Sequence, residues 1–257
     1  MQAPRRRARW RWVVVAVIVV AAVLAVAVAA TRDDDSKAAS TTTRSSGSTP
    51  STQTTNPTPT TTPSRTTALV PIDPAIAVWP YVASTTRYAD PVAAARGFAV
   101  HFVGFKHPML GAFRPVDAHS GEVDVRTRTG GPVTTVSVRQ IGPDDLWWVL
   151  GAATANIQLH APAAHSIVSS PVRLQGKSSA FEANVQTEIR QDGAVVPLGS
   201  GYVMGGGTEL GPFDGLLAFS QPHALSGAIM LFTVSMENGD VSEATVERVR
   251  FATVQGQ

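Results

Sequence analysis

Gly205-Gly206-Gly207-Thr208-Glu209-Leu210-Gly211 is the one stretch of this chain with the look of a phosphate cradle. A phosphate loop needs a helix N-terminus directly behind it, where unpaired N–H groups and the helix dipole meet the anion. Here Pro212-Phe213 and an apolar strand pattern follow, so the stretch reads as a mobile loop between strands. The histidines, His101, His107, His119, His160, His165 and His223, do not pair at i, i+4 with an acidic partner as a helical metal site requires. Scattered, solvated imidazoles are the expectation. A serine nucleophile on a strained elbow would show as Gly-x-Ser-x-Gly, and the nearest approach, Leu198-Gly199-Ser200-Gly201-Tyr202, has the wrong spacing. Asp144 and Asp145 are adjacent in a turn, where they solvate and cap rather than flank a glycosidic bond. Glu237-Asn238-Gly239-Asp240 carries too few carboxylates for calcium, and its Asn-Gly pair is a hairpin turn signal. No cysteine is present, which removes disulfides, thiolate zinc sites and a thiol nucleophile. No catalytic, cofactor-binding or metal-ligating residue is assigned, and no cofactor is expected.

The remaining candidates are aromatic: Trp147, Trp148 and Phe213. Neighbouring residues of a strand point to opposite faces, so the two indoles cannot both enter one core. One is expected in the core and the other at an interface, where tryptophan dominates binding energy. Phe213 reads first as a plug between sheets and second as a ligand platform.

Those residues need a scaffold, and the pattern supplies two. Asp90-Pro91 is a helix start, with Asp as cap and Pro in the first position. Val92, Ala95, Phe98, Ala99, Phe102 and Phe105 recur at three and four, and Lys106-His107-Pro108 should end the helix. Strands are expected at 121–129, 133–141 and 146–152, with 156–159 as a last strand or a connection. That makes 69–158 a small α+β domain, one helix on an antiparallel sheet. Trp79 and Tyr81 should pack onto it. From 159 to 257 the chain reads as strands only. Val172 and Leu174 alternate between Pro171 and Gly176, and Phe181, Ala183, Val185, Thr187 and Ile189 share a dry face opposite Glu182 and Arg190. Asp192-Gly193 is a hairpin turn, followed by strands at 194–198, 201–204, 215–220, 227–236 and 243–254. About seven strands with a turn every 8–12 residues is the spacing of an immunoglobulin-like sandwich.

Ahead of these lies a segment of another kind. Val13–Ala30 is an unbroken apolar run of 18 residues, long enough to cross a bilayer as a helix. Arg5, Arg6, Arg7, Arg9 and Arg11 precede it, Trp10 and Trp12 stand at its edge, and Asp33, Asp34 and Asp35 follow. The positive-inside rule then puts residues 1–12 in the cytoplasm and the rest outside. A cleaved signal peptide is the alternative, since the apolar run ends in small residues. Residues 31–68 form a linker: 24 of the 32 residues from Ser36 to Thr67 are Ser, Thr or Pro, too polar to build a core. From Leu69 onward there are 12 Lys+Arg against 16 Asp+Glu, so the basic character belongs to the N-terminus and nucleic acid is not an expected partner.

Ser170-Pro171-Val172 with Gly176, Phe181-Glu182, Gly211-Pro212-Phe213 and Ser235-Met236-Glu237-Asn238-Gly239 carry a resemblance. Through them residues 160–254 resemble the immunoglobulin-like domain of bacterial spore germination, found in secreted or anchored envelope proteins of Gram-positive bacteria. Asn238-Gly239 stands where that family more often has Asp-Gly. The resemblance implies a non-catalytic envelope module and assigns no catalytic residues. The expected protein is a single-pass membrane protein whose external modules bind wall polymer or another envelope protein. The alternative is a wall-active hydrolase, or its accessory subunit, with a site in 69–158.

Overall fold

The structure is a computed structural model, and it describes residues 73–252. The basic tail, the apolar segment Val13–Ala30 and the linker 31–68 lie outside the described residues, and the expected membrane topology lies there with them. Among the described residues, no helix is long and apolar enough to cross a membrane.

Asp90 starts the helix as its sequence requires. Its carboxylate accepts the Ala93 N–H at 2.7 Å, and Pro91 takes the first helical position. Helix α1 (Pro91–Phe98) continues as a π-helical turn over Ala99–Val103 and stops at Gly104, where φ is 90°. The stop comes before Lys106-His107-Pro108 because glycine enters the left-handed region without a Cβ penalty. Ala94, Ala95, Phe98, Ala99, Phe102, Val103 and Phe105 are buried, close to the expected stripe.

The strands are β1 (Met109–Pro115), β2 (Ser120–Arg126), β3 (Thr134–Ile141), β4 (Leu146–Thr154), β5 (Ile157–Ala161) and β6 (Ile167–Val168). They continue with β7 (Val172–Ser178), β8 (Asn184–Gln191), β9 (Gly199–Met204), β10 (Gly211–Leu217), β11 (Ser226–Val234) and β12 (Val241–Phe251). The main sheet runs antiparallel in the order β1-β2-β3-β4-β12-β11-β8-β9. A second layer, β5-β7-β10, faces it. The short β6 lies parallel to the end of β12.

Each face of the main sheet has its own cover. The helix packs on Val123, Val125, Val136, Val138, Trp147 and Val149, and the same core continues across Ala244, Val246, Ala228 and Met230. On the opposite face, Ile229, Leu231, Val249, Val185 and Ile189 pack against Ile157, Leu174, Phe213 and Leu217 of the second layer. Strands β11 and β12 are therefore apolar on both sides, which is why 227–232 reads as a continuous apolar run rather than an alternation. The architecture is mostly antiparallel sheet with one short helix, and the facing layers are those of an immunoglobulin-like sandwich.

Some expected elements differ. β1 lacks an alternating burial pattern and carries a bulge between Leu110 and Phe113, so periodicity misses it. Residues 194–198 are not a strand; the edge strand begins at Gly199. Phe181 does not open β8. It lies in a short 3₁₀ turn, followed by Glu182 and Ala183 with φ of 55° and 58°. These two left-handed residues shift the alternation, so Phe181 is 64 % exposed while Val185, Thr187 and Ile189 are buried as expected. Arg190 does not face water either: it donates to the Phe102 carbonyl at 2.6 Å, beneath the helix.

Candidate functional site

The end of β7 must pass from the second layer to the main sheet, and the glycine stretch makes that passage possible. Gly206 N–H donates to the Ser178 carbonyl at 2.9 Å, Ala180 N–H to the Gly206 carbonyl at 3.1 Å, and Gly205 N–H to the Ala183 carbonyl at 2.9 Å. A Cβ on Gly206 would lie 2.0 Å from the Glu209 carbonyl oxygen and 2.6 Å from that of Ser178. Only glycine lets these backbones meet so closely. The stretch is thus bonded to its neighbour, and its glycines serve close approach.

Held this way, the chain turns at Glu182-Ala183 and projects Phe181 outward. Left-handed backbone at a non-glycine residue costs about 1–3 kcal/mol, and such residues cluster at ligand sites. Beside this corner is a cleft of about 390 Å³. One wall is Phe181 and Glu182; the floor carries Asn184 and Gln186 of β8; the other wall is Thr233–Met236 at the end of β11, with Ser242 and Glu243 of β12 and Arg128 from the β2–β3 turn. Gln186 Nε2 donates to Asn184 Oδ1 at 2.7 Å, locking the two amides together. Phe181, Val234 and Met236 (58 % exposed) are its exposed apolar side chains among the described residues.

Glu243 closes the inner end and is buried. Thr154 Oγ1, Asn156 Nδ2 and Thr233 Oγ1 all donate to its carboxylate. Burial pushes its pKa up, and the three donors oppose that shift by stabilising the anion. The same neighbourhood joins β4 to β12, which share the single register pair Val246–Ala152. Thr154 N–H of β4 donates to Thr245 Oγ1 of β12 at 3.3 Å. β12 is tied further by Ala244 N–H donating to Thr134 Oγ1 of β3 at 3.0 Å and Thr245 Oγ1 donating to the Ile157 carbonyl of β5 at 2.6 Å. Side chains thus take over where backbone pairing thins out.

The residues singled out from sequence are not brought together. Trp147 and Trp148 do point to opposite faces, but both are buried, at 9 % and 4 % exposure. Trp147 meets Phe113 edge-on at 5.1 Å in the helix-side core. Trp148 packs with Ala77 and Ile141, under the Arg87 guanidinium at 5.1 Å. The segment before the helix covers the face that the sequence left open, so neither indole offers a ring to a partner. Phe213, 4 % exposed, is a plug in the sandwich core. Among the described residues no group of three His, Cys, Asp or Glu is arranged to hold a metal ion. Asn238-Gly239 forms the turn between β11 and β12, with Gly239 at φ 76°. The cleft residues Asn184, Gln186 and Glu243 carried no signal in the sequence beyond being polar positions of strands.

The segment that builds the strained corner, the floor of the cleft and its β11 wall is what known families can be compared with. Residues 156–240 match the family model of the immunoglobulin-like domain of bacterial spore germination. The match covers about a third of the chain, starting slightly before and ending before the stretch 160–254 that resembles the family in sequence. No curated protein and no solved structure matches the chain. Phe181, Asn184, Gln186 and Met236 fall inside the germination-type segment, whereas Arg128, Ser242 and Glu243 come from outside it.

Proposed function

We propose that this chain is a non-catalytic cell-envelope protein that acts by binding, with the germination-type immunoglobulin-like segment as its recognition module outside the membrane. The observation that carries the reading is the strained corner of that segment, which holds Phe181 exposed beside a polar cleft. Val13–Ala30, with its arginine flank, is the tether, and the Ser/Thr/Pro linker spaces the module from the bilayer. The partner is wall polymer or another envelope protein, in a germination-related or wall process. The bonding of Glu243 supports a binding role over hydrolysis: three side chains donate to it, which holds it as an acceptor within the fold.

Protease added to intact cells tests the topology. Digestion should remove residues 36–257 and leave a short membrane-bound fragment. Full protection would overturn the external placement, and soluble protein starting near Thr31 would replace the tether by a cleaved signal.

A further inference from the structure

We propose that the cleft between Phe181 and Met236 binds a neutral glycan strand bearing acetamido groups. This inference rests on the envelope-binding reading above and names the ligand class of that same site.

The first argument is that side chains must make the recognition. The floor strand β8 is paired with β9 throughout, Asn184 with Met204 and Gln186 with Tyr202, and its pairing with β11 runs as far as Gln186–Phe232. Among the described residues the opening between β8 and β11 spans only Asn184 on one side and Thr233–Val234 on the other. That is too short to seat an added strand, so a peptide is not held here by strand addition.

The second argument is the pattern of free polar groups. Because Gln186 Nε2 donates to Asn184 Oδ1, Gln186 Oε1 is left as an acceptor and Asn184 Nδ2 as a donor. Neither has another side-chain partner among the described residues. A locked pair presenting one donor and one acceptor complements a group that presents both, as a hydroxyl or a secondary acetamide does. Ser235 and Ser242 add hydroxyls nearby.

Charge gives the third argument. Among the described residues Arg128 is the only cation lining the cleft, Glu182 is its exposed carboxylate, and Glu243 is enclosed by its donors. Such a wall selects neither a polyanion nor a polycation. The fourth is Phe181, whose exposed ring is held out at the cost of two left-handed residues. The negative face of an aromatic ring attracts the polarised C–H groups on the face of a sugar. A volume of about 390 Å³ lies within the range of small-ligand sites.

The test uses the full chain purified in detergent, titrated calorimetrically with the β-1,4 tetramer of N-acetylglucosamine and, in parallel, the β-1,4 tetramer of glucose. The acetamido tetramer should bind more tightly than the glucose tetramer. Phe181→Ala and Asn184→Ala should each weaken binding by about tenfold or more, with unchanged melting temperatures. Leu216→Ala, 68 % exposed on β10 and away from the cleft, should bind like the parent. Absence of binding to either tetramer, or undiminished binding by Phe181→Ala, overturns the inference. Co-sedimentation with envelope fractions separates this from the wider reading. If the chain sediments with envelopes but protease treatment of them abolishes it, the partner is a protein and only the glycan assignment falls. If it binds neither envelopes nor glycan, both fall.

Discussion

Phe181 and Phe213 are the same side chain in opposite circumstances, one 64 % and the other 4 % exposed. Phe213→Ala should open a cavity between the layers and cost about 3–5 kcal/mol. Phe181→Ala removes almost no buried contact and should change stability by about 0.5 kcal/mol or less. Urea unfolding of the two variants measures both, and a large loss for Phe181→Ala would place that ring in the core. The sequence puts Phe181 on the dry face because alternation runs unbroken from Phe181 to Ile189. Nothing in Glu-Ala announces a left-handed pair; the bonds from Gly205 and Gly206 impose it from across the layer. Glu247 gives a pH dependence with a definite sign. It is half-buried, and burial alone raises its pKa. The folded state then holds the proton more tightly than the unfolded chain, so unfolding releases a proton and stability falls as pH rises through that window. The penalty is absent below the ordinary carboxylate pKa and complete above the raised folded one. Glu247→Gln should therefore flatten the fall in melting temperature that begins as pH rises through the ordinary carboxylate range. Some slope should remain, since the Glu243 pKa is raised in the same direction. An unchanged profile would mean that Glu247 meets water in solution.

Helix α1 was legible because cap, first proline and stripe agree, and each is a local property. Its central glycine was not. Gly97 in a helix interior should by propensity gain about 0.5–1 kcal/mol on becoming alanine. Here a Cβ would stand 2.0 Å from Tyr88 Oη, whose oxygen also accepts the Trp79 indole N–H at 3.2 Å. Gly97→Ala should instead destabilise by about 1–3 kcal/mol, the range for overpacking. Tyr88→Ala in the same chain should recover much of the difference, because it removes the clash. A stabilised Gly97→Ala, read by thermal unfolding, would show that the segment carrying Trp79 and Tyr88 moves aside without cost. β1 was illegible for a related reason: its burial follows neither period, and only pairing with β2 defines it.

A change from helix-and-meander to strands alone divides the chain near residue 158 in sequence, yet hydrogen bonding does not stop there. Strand β12 carries Ala244 and Val246 into the helix-side core and Val249 and Phe251 into the sandwich core. Arg248, 2 % exposed, adds a polar tie: it reaches the Ala75 carbonyl at 2.9 Å and pairs with Asp192 in the turn after β8. Residues 159–257 produced alone would bare Ala228, Met230, Ala244 and Val246 and deprive the buried Arg248 of the Ala75 carbonyl. That fragment should bind a hydrophobic dye and melt without a cooperative transition, whereas the full chain should lose tryptophan and sandwich signals together. A monodisperse fragment with a sharp transition would count against the shared sheet as a source of stability.

The position of β12 also has a consequence in time. It lies in the middle of the main sheet, but in the chain it comes after every other described strand. A polypeptide emerging N-terminus first, from a ribosome or through a translocation pore, therefore presents helix, meander and most of the sandwich before the strand between them exists. Until residues 241–251 emerge, both unfinished cores expose apolar surface, and β4 and β11 each offer an unpaired edge. Closure of the two cores is thus a single late event, and the interval before it is when this molecule most needs a holding chaperone.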